Sequence, residues 1–263
     1  MRRSGELFFA VVLALFSTAD PAESSCRDMD VARGLISPAY AAEVDATIEY
    51  FGHNFFQITT RKGTKIVTDP LAPGMHPTPT LAPHVATVGR EHPNHNYVEL
   101  LRGSPIILRG LAHHGAEWNR VSINVRDAFI YDVPIYQNGL DGALKGAAFM
   151  FDLGSLCIAH LGDLSHTLTA EQIKQMGRVD IALIPIGGIF TMPAQTAREV
   201  LQQIKPKIAI PMHYRDNLHI LEPFVQGLPT RKSQNDTLVV SKSALPSTTE
   251  IVVLRPKGGR DYW

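Results

Sequence analysis

From residue 46 onward, apolar and polar positions alternate in short runs at 46–51, 54–60 and 64–68, rich in Ile, Val, Phe, Tyr and Thr. This period-two pattern predicts three half-buried strands. Gly52-His53 and Arg61-Lys62-Gly63 punctuate the runs, so the three strands read as an opening antiparallel meander. Prolines at 70, 73, 77, 79 and 83 then impose a long extended loop, because each fixes φ and removes a backbone donor. Further strand patterns follow at 84–88, 105–108, 121–125, 128–136, 147–151 and 155–159, with a helix-like stretch at 97–101. Thr169-Ala170-Glu171-Gln172 is a capping box that opens a helix running to Met176. Residues 180–185 read as a buried strand, 193–204 as an amphipathic helix and 207–211 as another strand, and 237–240 and 250–254 close the sheet. Strands dominate, helices recur between them, and no repeat of 20–50 residues is visible, which argues against solenoids and propellers.

The first 45 residues have a different character. Arg2 and Arg3 precede an unbroken apolar run from Leu7 to Phe16, and Ser17-Thr18-Ala19 offers a small-x-small cleavage site, the pattern of a secretory signal peptide over residues 1–19. The apolar run is far shorter than the roughly 20 residues that span a bilayer, so no stable membrane insertion is expected after cleavage. Residues 20–45 have little periodicity and read as a leader or linker, which leaves 46–263 as one domain. Composition narrows the chemistry. The 25 basic residues cancel the 25 acidic ones, which removes the electrostatic footprint of a nucleic-acid binder. Cys26 and Cys157 are too few for a disulfide scaffold and lack the C-x-x-C spacing of a thiolate zinc site. Chemistry must therefore come from His, Asp and hydroxyl groups.

Eleven histidines are present, and five of them, His92, His95, His160, His166 and His213, fall at the ends of strand-like runs, where open α/β architectures collect functional groups. They fall in three of six notable segments, which are Tyr50-Phe51-Gly52-His53, Ile66-Val67-Thr68-Asp69-Pro70, Arg90-Glu91-His92-Pro93-Asn94-His95-Asn96, His160-Leu161-Gly162-Asp163-Leu164-Ser165-His166, Leu183-Ile184-Pro185-Ile186-Gly187-Gly188 and Pro211-Met212-His213-Tyr214. In order and spacing the chain resembles the metallo-β-lactamase-fold hydrolases over about residues 46–255, and most of all the branch that includes the L-ascorbate-6-phosphate lactonase. That resemblance implies an α/β fold of the αββα four-layer sandwich type, binding one or two metals, usually zinc, at strand ends between two sheets.

Aligned residue by residue, the family's H-x-H-x-D-H loop is Arg90-x-His92-x-Asn94-His95 here, and its next histidine falls on Gln137. The bridging carboxylate matches Asp163 and the last histidine matches His213, so the resemblance implies His92, His95, Asp163 and His213 as the surviving metal ligands. The family's first site would use positions 90, 92, 137 and 163, but a guanidinium has no free lone pair. The second would use positions 94, 95, 163 and 213 and keeps two imidazoles and a carboxylate, enough for a three-ligand site open to water. The expectation is a single divalent metal, zinc first, on His95, Asp163 and His213 with His92 nearby. Arg90 would steady a developing anion, Asp163 would also orient the nucleophile, and His166 would carry protons or touch substrate. His160 is expected to pack, and His113-His114 are alternatives for the missing ligands. The implied reaction is hydrolysis of a small-molecule ester, lactone, amide or phosphoester. The alternative is an inactive pseudoenzyme that serves as a binding or accessory protein, and metal content separates the two.

Overall fold

A computed structural model of the chain describes residues 24–27, 43–140, 142–215 and 217–258. The expected signal peptide and most of the expected leader lie outside these residues. In chain order the first strands are β1 (Ala46–Gly52), β2 (Phe55–Thr60), β3 (Lys65–Thr68), β4 (Val85–Val88), β5 (Ile106–Arg109), β6 (Leu111–Ala112), β7 (Glu117–Trp118) and β8 (Ser122–Val125). They are followed by β9 (Ala128–Gly139), β10 (Gly142–Asp152), β11 (Cys157–His160), β12 (Ile181–Pro185), β13 (Ile208–Met212), β14 (Thr230–Lys232), β15 (Thr237–Val240) and β16 (Glu250–Val253). The helices are α1 (Pro93–Asn96), α2 (Ala170–Met176), α3 (Ala194–Ile204) and α4 (Leu218–Val225).

These strands form two facing sheets, one in the order β15-β1-β2-β3-β4-β5 and the other in the order β14-β16-β13-β12-β11-β10-β9-β8, while β6 and β7 pair as a small ribbon. The period-two pattern decides which side chains meet. Ile66 and Val85, paired in register, face the core between the sheets, whereas their chain neighbours Val67 and Ala86 face the opposite side. There they pack with Phe51, Phe55, Leu71 and Leu81, joined by Leu100 and Leu101, so the proline-rich loop and the 3-10 turn at Val98–Leu100 fold back as the outer cover of the first sheet. Across the inter-sheet core, Tyr50, Phe56 and Ile58 meet the side of the second sheet that carries Phe149, Phe151, Ile158 and Ile210. Burying each such side chain contributes about 1.5–3 kcal/mol.

The outer face of the second sheet is sealed by α2, α3 and α4 through Met176, Val200, Leu201, Leu221 and Phe224, which completes the αββα sandwich. Strands β11, β12 and β13 are parallel neighbours and every residue in them is buried, which explains their continuous apolar runs. The capping box at Thr169 forms in both directions, with the Gln172 amide donating to the Thr169 hydroxyl and the Thr169 amide to the Gln172 side chain. Cys26 and Cys157 form a single disulfide. Residues 24–27, within the stretch read as leader or linker, are thereby docked on the domain, with the Ser24 and Ser25 hydroxyls donating to the two oxygens of Asp152 at 2.9 and 2.7 Å.

Candidate metal centre

Because β2 runs antiparallel to β3 and β4 runs parallel to β3, the β1–β2 turn arrives at the same end as the loops that leave β3 and β4. The loops after β11 and β13 reach that edge from the other sheet, and all of them converge on Asp163. Gly162 makes the turn possible: it adopts φ +55°, and a Cβ there would lie 2.7 Å from the Ala147 carbonyl oxygen. Asp163 is buried. Its Oδ1 accepts from Asn54 Nδ2 at 2.8 Å and its Oδ2 from the Arg90 guanidinium at 2.8 Å. His95 Nε2 lies 3.3 Å from Oδ2 and His213 Nε2 lies 3.5 Å from Oδ1. Burial by itself would raise the Asp163 pKa, but His95, His213, Arg90 and His53 together override it and hold the carboxyl well below the usual range.

His95 is the buried residue of α1, and its Nδ1 pairs with Asp69 Oδ2 at 2.9 Å. Asp69 is itself fixed through Oδ1 by the Gly89 amide at 2.7 Å. A carboxylate behind an imidazole sets its tautomer and turns the other nitrogen inward, here toward Asp163. Burial opposes charge on His95, but the Asp163 and Asp69 carboxylates outweigh it and raise its pKa, so His95 Nε2 is a point where positive charge is stabilised. His213 leaves β13 with φ +61°. A Cβ on Gly187 would lie 2.2 Å from the His213 carbonyl oxygen and 2.7 Å from its Nδ1, so only glycine lets the β12 loop pass this close. Burial is the main cause that lowers the His213 pKa.

His53 joins them from the β1–β2 turn, at φ +55° and almost fully buried. Its ring centroid is 4.0 Å from that of His213 and 5.0 Å from that of His95, and the His213 amide donates to its carbonyl oxygen at 3.2 Å. One nitrogen from each of His53, His95 and His213 lies within 4.8 Å of the other two. Desolvation, then His213 and His95, holds the His53 pKa well below its usual range, so its ring is neutral at neutral pH. Neither ring nitrogen has a hydrogen-bond partner among the described residues.

Of the residues expected from sequence, Arg90, His95, Asp163 and His213 come together here. His92 does not reach Asp163 with a hydrogen bond: it is exposed, caps α1 by accepting the Asn94 amide on Nδ1 at 3.2 Å, and its ring centroid is 6.4 Å from that of His95. In His166, Nε2 accepts the Tyr136 amide at 3.1 Å and Nδ1 donates to the Thr167 carbonyl at 2.7 Å. Both nitrogens are thus tied to backbone. Gln137 is buried with Nε2 on the Lys145 carbonyl and Oε1 without a partner among the described residues. His160 is buried as expected, donating to the Asn54 carbonyl at 2.9 Å and accepting the Gly162 amide at 3.3 Å, so it positions the two segments that hold Asp163. His113 and His114 stand on a 3-10 turn with no buried residue, and His113 faces Glu117 at 3.9 Å. Sequence reasoning assigned no role to His53, Asn54 or Asp69, although His53 and Asp69 fall within motif segments and directly follow β1 and β3.

The donor set separates the two positions in which an ion is expected. Positions 90, 92, 137 and 163 do not fit one, because the Arg90 guanidinium already sits on Asp163 Oδ2 and a fixed cation repels a dication. The opposite side fits one: imidazole nitrogens converge beside a carboxylate, and the His53 nitrogens are buried without a hydrogen-bond partner among the described residues.

Residues 47–213 match a family profile described as the Beta-lactamase superfamily domain. A UPF0173 metal-dependent hydrolase of Pyrococcus abyssi is 28% identical over 191 residues, covering 64% of this chain and 84% of that protein. A second, from Nanoarchaeum equitans, is 36% identical over 85 residues, 32% of this chain and 40% of that protein, so the match spans less than half of that relative's length. Among solved structures, a Thermotoga maritima protein of the metallo-beta-lactamase superfamily has a TM-score of 0.61 and 26% sequence identity, with 80% of this chain and 98% of that chain covered. The narrower likeness to the L-ascorbate-6-phosphate lactonase branch rests on the sequence motifs alone.

Proposed function

The chain belongs to the Beta-lactamase superfamily domain family, and from that premise we propose that it is a metal-dependent hydrolase working with a single divalent ion, zinc first. Its substrate is a small-molecule ester, lactone or phosphoester, and the protein is exported. The observation that carries this reading is the 2.8 Å contact between Arg90 and Asp163 Oδ2: a guanidinium stands where the family pattern would place its first ion. When bound on the opposite side, a divalent ion supplies an acidified water and polarises the substrate oxygen. The residues of this chain do the rest. Asp163 orients the attacking water, Asp69 and His95 keep an imidazole lone pair turned inward, and Arg90 uses the N–H groups not committed to Asp163 to hold the anion that develops. His92 acts beside the site as the cap of α1, which carries His95, and His166, whose nitrogens bond to the Tyr136 and Thr167 backbone, braces the loop after Asp163 instead of carrying protons.

Export is supported by the Arg-rich, apolar start of the sequence and by the Cys26–Cys157 disulfide, a bond characteristic of oxidising compartments. Among the described residues, no helix is long and apolar enough to cross a membrane. The test is elemental analysis of the mature protein together with a panel of esters, lactones and phosphodiesters. About one metal per chain, with turnover that a chelator abolishes, is expected. Arg90→Gln should lower kcat/KM about 100-fold or more, the scale for removing one anion-stabilising donor, with metal content retained. Two metals per chain would refute the reduced site, and none would favour the binding or accessory protein.

A further inference from the structure

We infer that His53 is a metal ligand, completing a four-ligand site with His95, His213 and Asp163; this rests on the one-metal reading above. The first support is the state of the ring itself. Both His53 nitrogens are buried with no hydrogen-bond partner among the described residues. Buried polar groups are nearly always satisfied, and a residue carrying two orphans on one ring calls for a missing partner. The second support is placement. Its ligand atom lies within 4.8 Å of those of His95 and His213. Nitrogens around a tetrahedral zinc at about 2.0–2.1 Å sit about 3.3 Å apart, so inward shifts below about 1 Å per side chain close the three imidazoles on an ion, and the Asp163 oxygens already stand 3.3 and 3.5 Å from the Nε2 atoms of His95 and His213. The third support is the character of the space enclosed. His95 Nδ1 faces Asp69, which leaves Nε2 directed at the Asp163 carboxylate at 3.3 Å; this is a place built to hold positive charge, and a metal ion seated there takes the place of a proton on Nε2.

The fourth support is backbone cost. His53 and His213 both hold left-handed conformations, at φ +55° and +61°, which non-glycine residues avoid, and each places an imidazole in the same cluster. Strained residues persist where the surrounding structure demands them, and they gather at functional sites. The assignment also accounts for the weak fourth position in the family pattern. Asn94 offers only a neutral amide in place of a carboxylate, and here its backbone amide caps α1 through His92. An imidazole delivered from the β1–β2 turn supplies the fourth donor that Asn94 does not.

The experiment compares the mature wild type with His53→Ala, His53→Cys and His213→Ala, each checked for folding by circular dichroism and thermal melting. Zinc affinity is read by competition with a chelating dye, and cobalt(II) is added as a spectroscopic probe. Wild type is expected to bind one equivalent. His53→Ala should lose more than about 100-fold in affinity, beyond what removal of an outer-shell partner costs, and His213→Ala should do the same. In His53→Cys, cobalt should give a thiolate-to-metal charge-transfer band in the near ultraviolet. The native cysteines do not supply one, because both are in the disulfide. Wild-type affinity in His53→Ala, or a cobalt complex of His53→Cys without the thiolate band, overturns the assignment while leaving the one-metal reading intact. A wild type that binds no metal, or two, overturns that reading and this assignment with it. If His53→Ala does not fold, the cysteine variant decides alone.

Discussion

Asp132 lies in β9, where its Oδ1 accepts the Val121 amide at 2.8 Å while Oδ2 is buried without a partner among the described residues. Burial is the main cause that raises its pKa from 3.8 to about 6, against the opposing Val121 hydrogen bond and the charges of Arg120 and Arg27. The native state therefore binds this proton more tightly than the unfolded chain does. Between about pH 4 and pH 6 it holds more protons, so stability falls as pH rises through that window and stays reduced above it. Asp132→Asn keeps an acceptor for Val121 and removes the buried charge. It is expected to add on the order of 1–2 kcal/mol at pH 7, after discounting for partial exposure, and nothing at pH 4. Denaturant titrations at the two pH values read the difference, and an equal effect at both would show that the carboxylate charge is not the cause. Residue type read through the family resemblance revealed part of the candidate site. Arg90 was legible because a guanidinium cannot ligate metal, and His95, Asp163 and His213 because their motifs match in order. His53, Asn54 and Asp69 were not, because nothing in their own segments says that the β1–β2 turn and the end of β3 reach the loop after β11. That is a property of sheet order.

Elements with a clear burial pattern were readable nearly to the residue: one buried face dictates the pattern of β1 and α3, and burial on both faces gives β4, β12 and β13 their near-continuous apolar runs. Failures have local causes. The first half of β10, Gly142 to Gly146, carries two glycines and a lysine and has little burial, so it lacks an apolar signal; its partner β9 holds it in the hairpin. Helix α4 contains Pro223, which reads as a breaker, and β14 is fully exposed. Loops between elements set the approach distances at the site, and the β12 loop offers a direct test. Gly187→Ala would place a methyl group 2.2 Å from the His213 carbonyl oxygen and 3.1 Å from Thr191 Oγ1, and backbone must shift to admit it. The expected cost is about 1–3 kcal/mol, as for other overpacked positions, together with weaker metal binding because His213 moves. A chemical melt and a zinc titration on the same preparation check both effects. Wild-type stability with wild-type affinity would mean that the two loops do not meet this closely.

At the scale of the whole molecule, the disulfide joins positions 131 apart in sequence and links the segment before the first strand to the start of β11. The pairing could not be read from two isolated cysteines, because it depends on residues 24–27 returning to the second sheet, where Arg27 also lies 4.1 Å over the Tyr131 ring. Closing a loop of this length restricts the unfolded chain, and the chain-entropy account gives up to about 5 kcal/mol, with 2–4 typical of measured cases. Cys157 opens β11 and Asp163 follows its far end, so the cross-link and the metal centre occupy opposite ends of the strand. Their effects should therefore separate. Cys26→Ser with Cys157→Ser is expected to cost about 2–4 kcal/mol, or roughly 5–15 °C in Tm for a domain of this size, while the metal content per chain stays unchanged. Calorimetry and elemental analysis of the oxidised wild type and the double variant measure the two quantities independently. An unchanged Tm would mean that the docked segment adds nothing to stability. Loss of the metal alongside stability would mean that the strain of losing the cross-link travels the length of β11, and the two ends of the strand would have to be treated as one site.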